Sequence, residues 1–436
     1  MLINYTVENV YSFSEATTFS MLGERIKEFD ETNCYFKDKK KILKSSSIHG
    51  LNGAGKSNLI KSLFYLKKLI LNSSTVKDYI SELEPFKFST KYKDKPMKFT
   101  LNFLLKDIEY TYIVYILNKA IFYEALFKKE KREVMIFERK DSNWDNINFS
   151  QKYFKNEYLK FFPDIFKKKD TLLLTLLLKI KDQPFSDLAD YIENNLIIIN
   201  GISFGGAYSD YNDTFNYIEG TNDKNISLQR RNKILQFMKK YCSGLDELIY
   251  SKKERVISFD EIKQNLPEDL VKRLEEDIKS ESKSLNLTTQ DISLFAQHKI
   301  YDENYNVIGE ELLDFINYAS EGTQALYRII GGIFRILENG GTIFIDEMMG
   351  LLHTIVISDI LDLFHKPSVE AQIIFTGHNP YIMNESNIRR DQIVFFTKGI
   401  IGDSKLHRLS DFKEIKSTNS FSKNYIQLLK NSLNNQ

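Results

Sequence analysis

The sequence predicts an α/β fold in which a mixed sheet is flanked by an antiparallel β-meander and interrupted by a helical insertion. Three observations predict it. The octapeptide GLNGAGKS at 50–57 stands between a strand-like apolar run and an amphipathic helical one. Four segments between 98 and 138 alternate apolar and polar residues with short polar turns between them. From Gly322 onward, helix and strand patterns follow one another in turn. With 436 residues, 42% of them hydrophobic and 13% aromatic, the chain has ample material for a large core, which excludes a disordered or fibrous protein. That length allows two or three domains, or one large α/β domain with insertions.

The elements follow in order. Residues 2–7 and 17–21 alternate like paired strands, and a third strand is expected from Leu43 to His49. After the glycine-rich octapeptide, Leu59, Ile60, Leu63, Phe64, Leu66, Leu69 and Ile70 recur at helical spacing. The meander of 98–138 comes next. The stretch of about 165–300 reads as helical and more charged, with Pro184 and Pro267 each placed where a helix can begin. The run from Pro267 to Ser284 predicts one short amphipathic helix. Beyond it, Ala325, Leu326, Ile329, Ile330, Ile333 and Phe334 define a helix, followed by strands at 342–345, 372–376 and 392–396. The division is therefore 1–165 and 301–436 as two halves of one nucleotide-binding domain, with 166–300 as a helical insertion. No heptad pattern lasts three or four repeats, which argues against a long coiled coil.

Sixty Lys and Arg against 59 Asp and Glu leave a net charge of +1, so no global field draws in nucleic acid or an anionic membrane. Two local basic runs stand out: Lys37, Lys39, Lys40, Lys41 and Lys44, and Lys128, Lys129, Lys131 and Arg132. Cys34 and Cys242 are too few for a disulfide framework or a cysteine-rich zinc site, which suits a reducing compartment. The longest apolar run, 171–178, is too short to span a bilayer, and the N-terminal segment has no apolar signal core. A cytoplasmic protein without a membrane partner is the expectation.

The octapeptide fits GxxxxGK[ST], and its strand–loop–helix setting is the one that chemistry requires. Gly50, Gly53 and Gly55, with Asn52 and Ala54 between them, let successive backbone N–H groups turn toward phosphate at a helix N-terminus. Lys56 is expected to reach the β- and γ-phosphates, and the Ser57 hydroxyl to ligate Mg²⁺, with Asn58 completing the turn. The apolar strand at 341–345 ends in Asp346 and Glu347. In a buried parallel sheet, ligands sit beyond the C-terminal ends of strands, so Asp346 is expected to hold Mg²⁺ and Glu347 to orient or deprotonate water. His378 ends the strand at 372–376 in the same way and suits a hydrogen bond to a terminal phosphate. Ser320, Glu321 and Gly322 open a helix whose N-terminus suits an anion. His353 is ambiguous. His49, His298, His365 and His407 form no metal-ligand spacing and read as ordinary histidines.

Glycine-rich loop, Ser-x-Gly 24 residues before Asp346, acid pair, and histidine 32 residues after Asp346 stand in an order that resembles the ATP-binding-cassette superfamily. Within it the chain resembles AAA-family ATPases related to the OLD, RecF and chromosome-maintenance proteins, most nearly the group found in bacterial abortive-infection and other anti-phage operons. The resemblance extends to residues 9–13, Pro85 and Phe86, the meander, 319–323, Leu352 with His353, 377–379, 389–393 and 406–412. It implies a P-loop ABC-type ATPase using ATP and Mg²⁺, a homodimer with composite ATP sites or a higher homo-oligomer, and a role as sensor or regulatory subunit. The stretch after His378 is too short for the TOPRIM nuclease of OLD proteins, so the resemblance implies a separate effector. The alternative it leaves open is a RecF-like or chromosome-maintenance-like DNA-repair ATPase that clamps DNA through the basic runs. Tyr11 stands where the family usually has Arg or Lys. Met348, Met349 and Gly350 replace more polar residues, Thr354 replaces a proline, and Gly377 replaces a threonine.

Overall fold

The computed structural model describes residues 1–75, 79–153, 155, 157–160, 167–199, 211–257, 287–385, 387–413 and 420–434. The chain divides into two compact units, 1–220 with 328–436, and 221–327.

Among the described residues the first unit has two large sheets and a two-stranded one of Cys34–Lys37 and Lys40–Leu43. One has seven strands, in the order Ile147–Phe149, Glu133–Lys140, Ala120–Lys129, Ile108–Leu117, Met97–Leu105, Leu2–Glu8, Thr17–Ser20, and every pairing in it is antiparallel. The meander expected at 98–138 is its larger part. The alternation works as predicted: Phe99, Leu101 and Phe103 are buried, as are Tyr110, Tyr112, Val114 and Ile116 on the neighbouring strand.

The other sheet has six strands, in the order Leu196–Ile199, Gly341–Ile345, Ala371–Thr376, Ser45–Gly50, Ile393–Lys398, Ser404–Arg408. The first five run parallel and the last antiparallel. The central strands Ser45–Gly50, Gly341–Ile345 and Ala371–Thr376 are buried throughout, as a parallel sheet covered on both faces requires. Helix Lys56–Asn72 turns Leu59, Ile60, Leu63, Leu66, Leu69 and Ile70 into the core between the sheets. Aromatic rings meet there, Phe19 with Phe344 at 6.3 Å and Phe13 with Phe396 at 5.8 Å. Gln372 ties the sheets together. Its Nε2 donates to the carbonyls of Leu2 (3.0 Å) and Leu43 (2.9 Å), while its Oε1 accepts the Leu2 N–H.

A buried carboxylate anchors the apolar run at 171–178. Both oxygens of Glu124 receive backbone N–H groups at the start of helix Leu173–Leu177, from Leu173 at 2.7 Å and Leu174 at 2.9 Å. Glu124 also accepts from Tyr112 and pairs with Arg139 at 3.0 Å, both ends of the ion pair fully buried. The Arg139 guanidinium lies 4.3 Å over the Trp144 ring.

The second unit differs from the helical insertion expected at 166–300. It holds helix Lys224–Lys239, capped by Asp223, and a three-stranded antiparallel sheet of Glu247–Ile257, Leu287–Tyr301 and Val307–Asp314. Strand Val307–Asp314 is mostly exposed and carries apolar and acidic residues at both alternating sets of positions, so the period-two signal that marks a half-buried strand is missing from it. Residues 167–199 belong instead to the first unit, where Leu196–Ile199 pairs with Gly341–Ile345. Four consecutive apolar residues are indistinguishable from a buried helix turn by periodicity. The amphipathic helix expected from Pro267 lies outside the described residues. Among the described residues no helix is long and apolar enough to cross a membrane.

Candidate functional site

The loop at 50–57 joins the buried strand Ser45–Gly50 to helix Lys56–Asn72, and its backbone explains its glycines. Gly55 has φ 115°, and a Cβ there would stand 2.1 Å from Ser404 Oγ. Gly50 has φ 144°, with the Phe396 carbonyl 2.8 Å from where its Cβ would be. The rim residues Leu51, Asn52 and Gly53 are exposed, whereas Ala54, Gly55 and Lys56 are buried. A hydroxyl cluster supports the loop from below. Ser404 Oγ donates to the Ala54 carbonyl at 2.6 Å and meets Ser12 Oγ at 2.8 Å, which in turn receives Asn58 Nδ2 at 2.8 Å. Ser12 follows Tyr11, whose own hydroxyl donates to the Glu82 carbonyl and whose ring lies 4.8 Å under Lys61 Nζ.

Lys56 Nζ donates to the carbonyls of Gly50 (3.0 Å) and Leu51 (3.2 Å). Burial lowers its pKa, against the opposite pull of the Glu347 and Asp346 carboxylates. Ser57 Oγ donates to Asp346 Oδ1 at 3.3 Å. Asp346 is 1% exposed, and its Oδ2 is buried without a hydrogen-bond partner. An orphaned carboxylate oxygen beside a serine hydroxyl at a phosphate-sized loop fits a hard divalent cation, which completes its shell with water and phosphate oxygens. Among the described residues there is no group of three or more His, Cys, Asp or Glu placed to hold a metal by themselves.

Glu347 follows with φ 57°, the N-cap of helix Met348–Leu351. Its Oε1 lies 3.5 Å from His378 Nε2, and both side chains are partly exposed. The sheet thus brings Lys56, Ser57, Asp346, Glu347 and His378 to the same end of three adjacent parallel strands. A cleft of about 500 Å³ opens beside them between Asn52, His378 and the C-terminal helix Phe421–Asn434.

Ser320, Glu321 and Gly322 belong to the second unit. Ser320 Oγ accepts the Thr323 N–H at 3.2 Å at the start of helix Glu321–Asn339, the geometry of an N-cap. Ser320 and Glu321 are exposed.

Sequence reasoning missed Thr376. This fully buried residue accepts the Glu347 N–H at 2.8 Å and donates to Asp346 Oδ1. A threonine closing an apolar strand two residues before His378 was the only signal. The Met349 and Gly377 departures also prove to be one feature: a Cβ on Gly377 would lie 2.3 Å from Met349 Cβ and 2.6 Å from its Cγ. His353, His365 and His407 behave as ordinary histidines, whereas the ring of His49 is buried with neither nitrogen hydrogen-bonded. His365 Nε2 meets Ser45 Oγ at 2.8 Å, His407 Nε2 meets Thr397 Oγ1 at 2.9 Å, and His353 Nδ1 accepts the Ile355 N–H as a helix cap. Both cysteines are buried and free.

The first basic run is largely engaged within the fold. Lys37 pairs with Asp107 (3.0 Å), Lys40 with Glu109 (2.5 Å) and Lys41 with Asp30 (2.7 Å), while Lys44 is buried and donates to the Lys366 carbonyl. That leaves little of it to face a phosphate backbone.

Residues 46–384 match the family described as "AAA domain, putative AbiEii toxin, Type IV TA system", and the chain belongs to that family. Membership in an AAA family implies ATPase activity. Solved structures with which the chain shares similarity include the Smc head bound to the C-winged helix domain of ScpA, at 13% identity and TM-score 0.41, covering 93% of this chain and 97% of that one. The SMC head domain from Thermotoga maritima follows at 12% identity and TM-score 0.38, over 93% and 98% of the two chains. The Smc head with an extended coiled coil bound to the C-terminal domain of ScpA from Pyrococcus furiosus has 12% identity and TM-score 0.40, over 98% of each chain. No curated protein matches the chain.

Proposed function

We propose that the chain is an ATP-hydrolysing switch that works as the sensor or regulatory subunit of a bacterial anti-phage system and controls a separate effector. The observation that carries the ATPase reading is the convergence of Lys56, Ser57, Asp346, Glu347 and His378 at one end of the parallel sheet. The backbone N–H groups of 53–57, opened by glycines and backed by the helix N-terminus, receive the phosphates. Lys56 reaches the β- and γ-phosphates from the floor of the loop. Ser57 and Asp346 would hold Mg²⁺, which when bound would neutralise charge developing on the phosphate oxygens. Glu347 orients the attacking water and takes its proton. His378, 3.5 Å from Glu347, donates to the terminal phosphate and registers its loss.

Ser320 and Gly322 act in this scheme from a second copy of the chain, the helix at Glu321–Asn339 directing its N-terminus at the neighbour's nucleotide. ATP then becomes part of the dimer interface, and hydrolysis loosens it. Support for the defence role is the family description, which names a toxin and a type IV toxin–antitoxin system.

Isothermal titration with a non-hydrolysable ATP analogue tests the nucleotide site. Lys56→Ala is expected to abolish the binding that the unaltered chain shows, because solvent cannot replace an ammonium held in a closed loop. Equal affinity in the two proteins would remove the assignment of this loop.

A further inference from the structure

We propose that Thr376 is a positioning residue that sets both carboxylates of the acid pair through one hydroxyl, an inference that rests on the ATPase reading of the same site. Its Oγ1 spends its single proton on Asp346 Oδ1 and uses a lone pair for the Glu347 N–H, 2.8 Å away. The two contacts act on different parts of the acid pair. The first fixes the carboxylate plane of Asp346, so that Oδ1 is shared between the hydroxyls of Thr376 and Ser57 while Oδ2 remains the oxygen without a partner. The second fixes the backbone of Glu347, which carries φ 57° and needs an outside contact to stay in the left-handed region.

Thr376 is itself held rigidly. It closes the buried strand Ala371–Thr376, sits in register with Ile48 of Ser45–Gly50, and is 0% exposed. The strand that presents His378 thus also presents the hydroxyl that aligns the acids of the adjacent strand. Asp346 and Glu347 are thus coupled through a single fully buried residue, two positions before His378 in the chain. Such outer partners of metal-holding carboxylates typically change affinity or activity by about 10- to 100-fold when removed.

The test compares Thr376→Val, which keeps the shape and removes the hydroxyl, with Thr376→Ser, which keeps the hydroxyl and removes the methyl. Binding of a fluorescent non-hydrolysable ATP analogue is titrated against Mg²⁺, and ATP hydrolysis is measured separately. Thr376→Val is expected to bind the analogue unchanged without Mg²⁺, to need about 10- to 100-fold more Mg²⁺ for half-maximal effect, and to lose kcat by a similar factor. Thr376→Ser should recover both to within a few-fold. A structural role alone would shift the unfolding midpoint and leave the Mg²⁺ requirement in place. If Thr376→Val does not fold, Thr376→Ala is read in the same way. Wild-type Mg²⁺ dependence in folded Thr376→Val or Thr376→Ala, or a Thr376→Ser protein as impaired as Thr376→Val, overturns the inference. Lys56→Ala separates the two levels. Loss of analogue binding there with a normal Thr376→Val sinks only the positioning role, whereas retained binding in Lys56→Ala sinks the ATPase reading and the inference with it.

Discussion

His49 shows how the phosphate-loop strand reaches its end at a cost. The ring is fully buried, neither nitrogen has a hydrogen-bond partner, and it lies 5.6 Å from the ring of Tyr425 of the C-terminal helix. Burial, with added repulsion from Lys56 and His378, lowers its pKa from 6.5 to about 3. The sign follows directly. Between pH 6.5 and about 3 the unfolded chain holds a proton on His49 that the folded chain does not, so stability is complete above 6.5 and declines as pH falls through that window. Replacing the ring by an apolar side chain removes both the unpaired nitrogens and the linkage. Urea midpoints of the wild type and His49→Leu, measured from pH 7.5 down to 5, are therefore expected to diverge, with the variant losing less stability on acidification. Parallel curves would mean that His49 is protonated or hydrogen-bonded in the folded chain.

At the scale of elements, two close fits carry predictions. Strand Ala371–Thr376 and helix Met348–Leu351 meet where Gly377 makes room for Met349, so Gly377→Ala is expected to cost about 1–3 kcal/mol by overpacking. Met349→Gly in the same chain, which removes the Cβ that stands closest, should recover part of it. A double-mutant cycle in denaturant checks the coupling, and additive losses would mean that the two positions are independent. Helix Leu173–Leu177 depends likewise on Glu124. Glu124→Ala leaves Arg139 buried without its counter-charge and is expected to destabilise by about 3–5 kcal/mol in equilibrium unfolding. These fits also mark where the sequence stops being legible. The loop, the acid pair, His378 and the helix after the loop were readable because each combines a local pattern with a chemical requirement. The meander was readable because one face of it is buried. Thr376, Ser12 and Ser404 were not, since their roles depend on contacts across strands far apart in the chain. Leu196–Ile199 and Val307–Asp314 were missed because a short apolar run and a mostly exposed strand carry no periodic signature.

For the whole molecule, Lys56 and Ser320 lie in separate units of the chain, and the proposed dimer joins the loop of one copy to the Ser320–Gly322 signature of another. Two variants each inactive alone, Ser320→Arg and Lys56→Ala, should regain part of the ATPase activity when mixed, because a mixed dimer pairs one intact loop with one intact signature. Light scattering confirms that mixed dimers form, and their failure to hydrolyse ATP would leave Ser320 as a helix cap alone. The central claim is that this chain hydrolyses ATP with Glu347 as the base, and Glu347→Gln isolates that group because the amide keeps the shape and cannot take the proton. The direct measurement is retention of radiolabelled ATP and release of labelled phosphate by wild type and Glu347→Gln in the same samples with Mg²⁺. The prediction is phosphate release by the wild type, and in Glu347→Gln full ATP binding with release reduced by about 100-fold or more. Equal rates of release from the two proteins would contradict it.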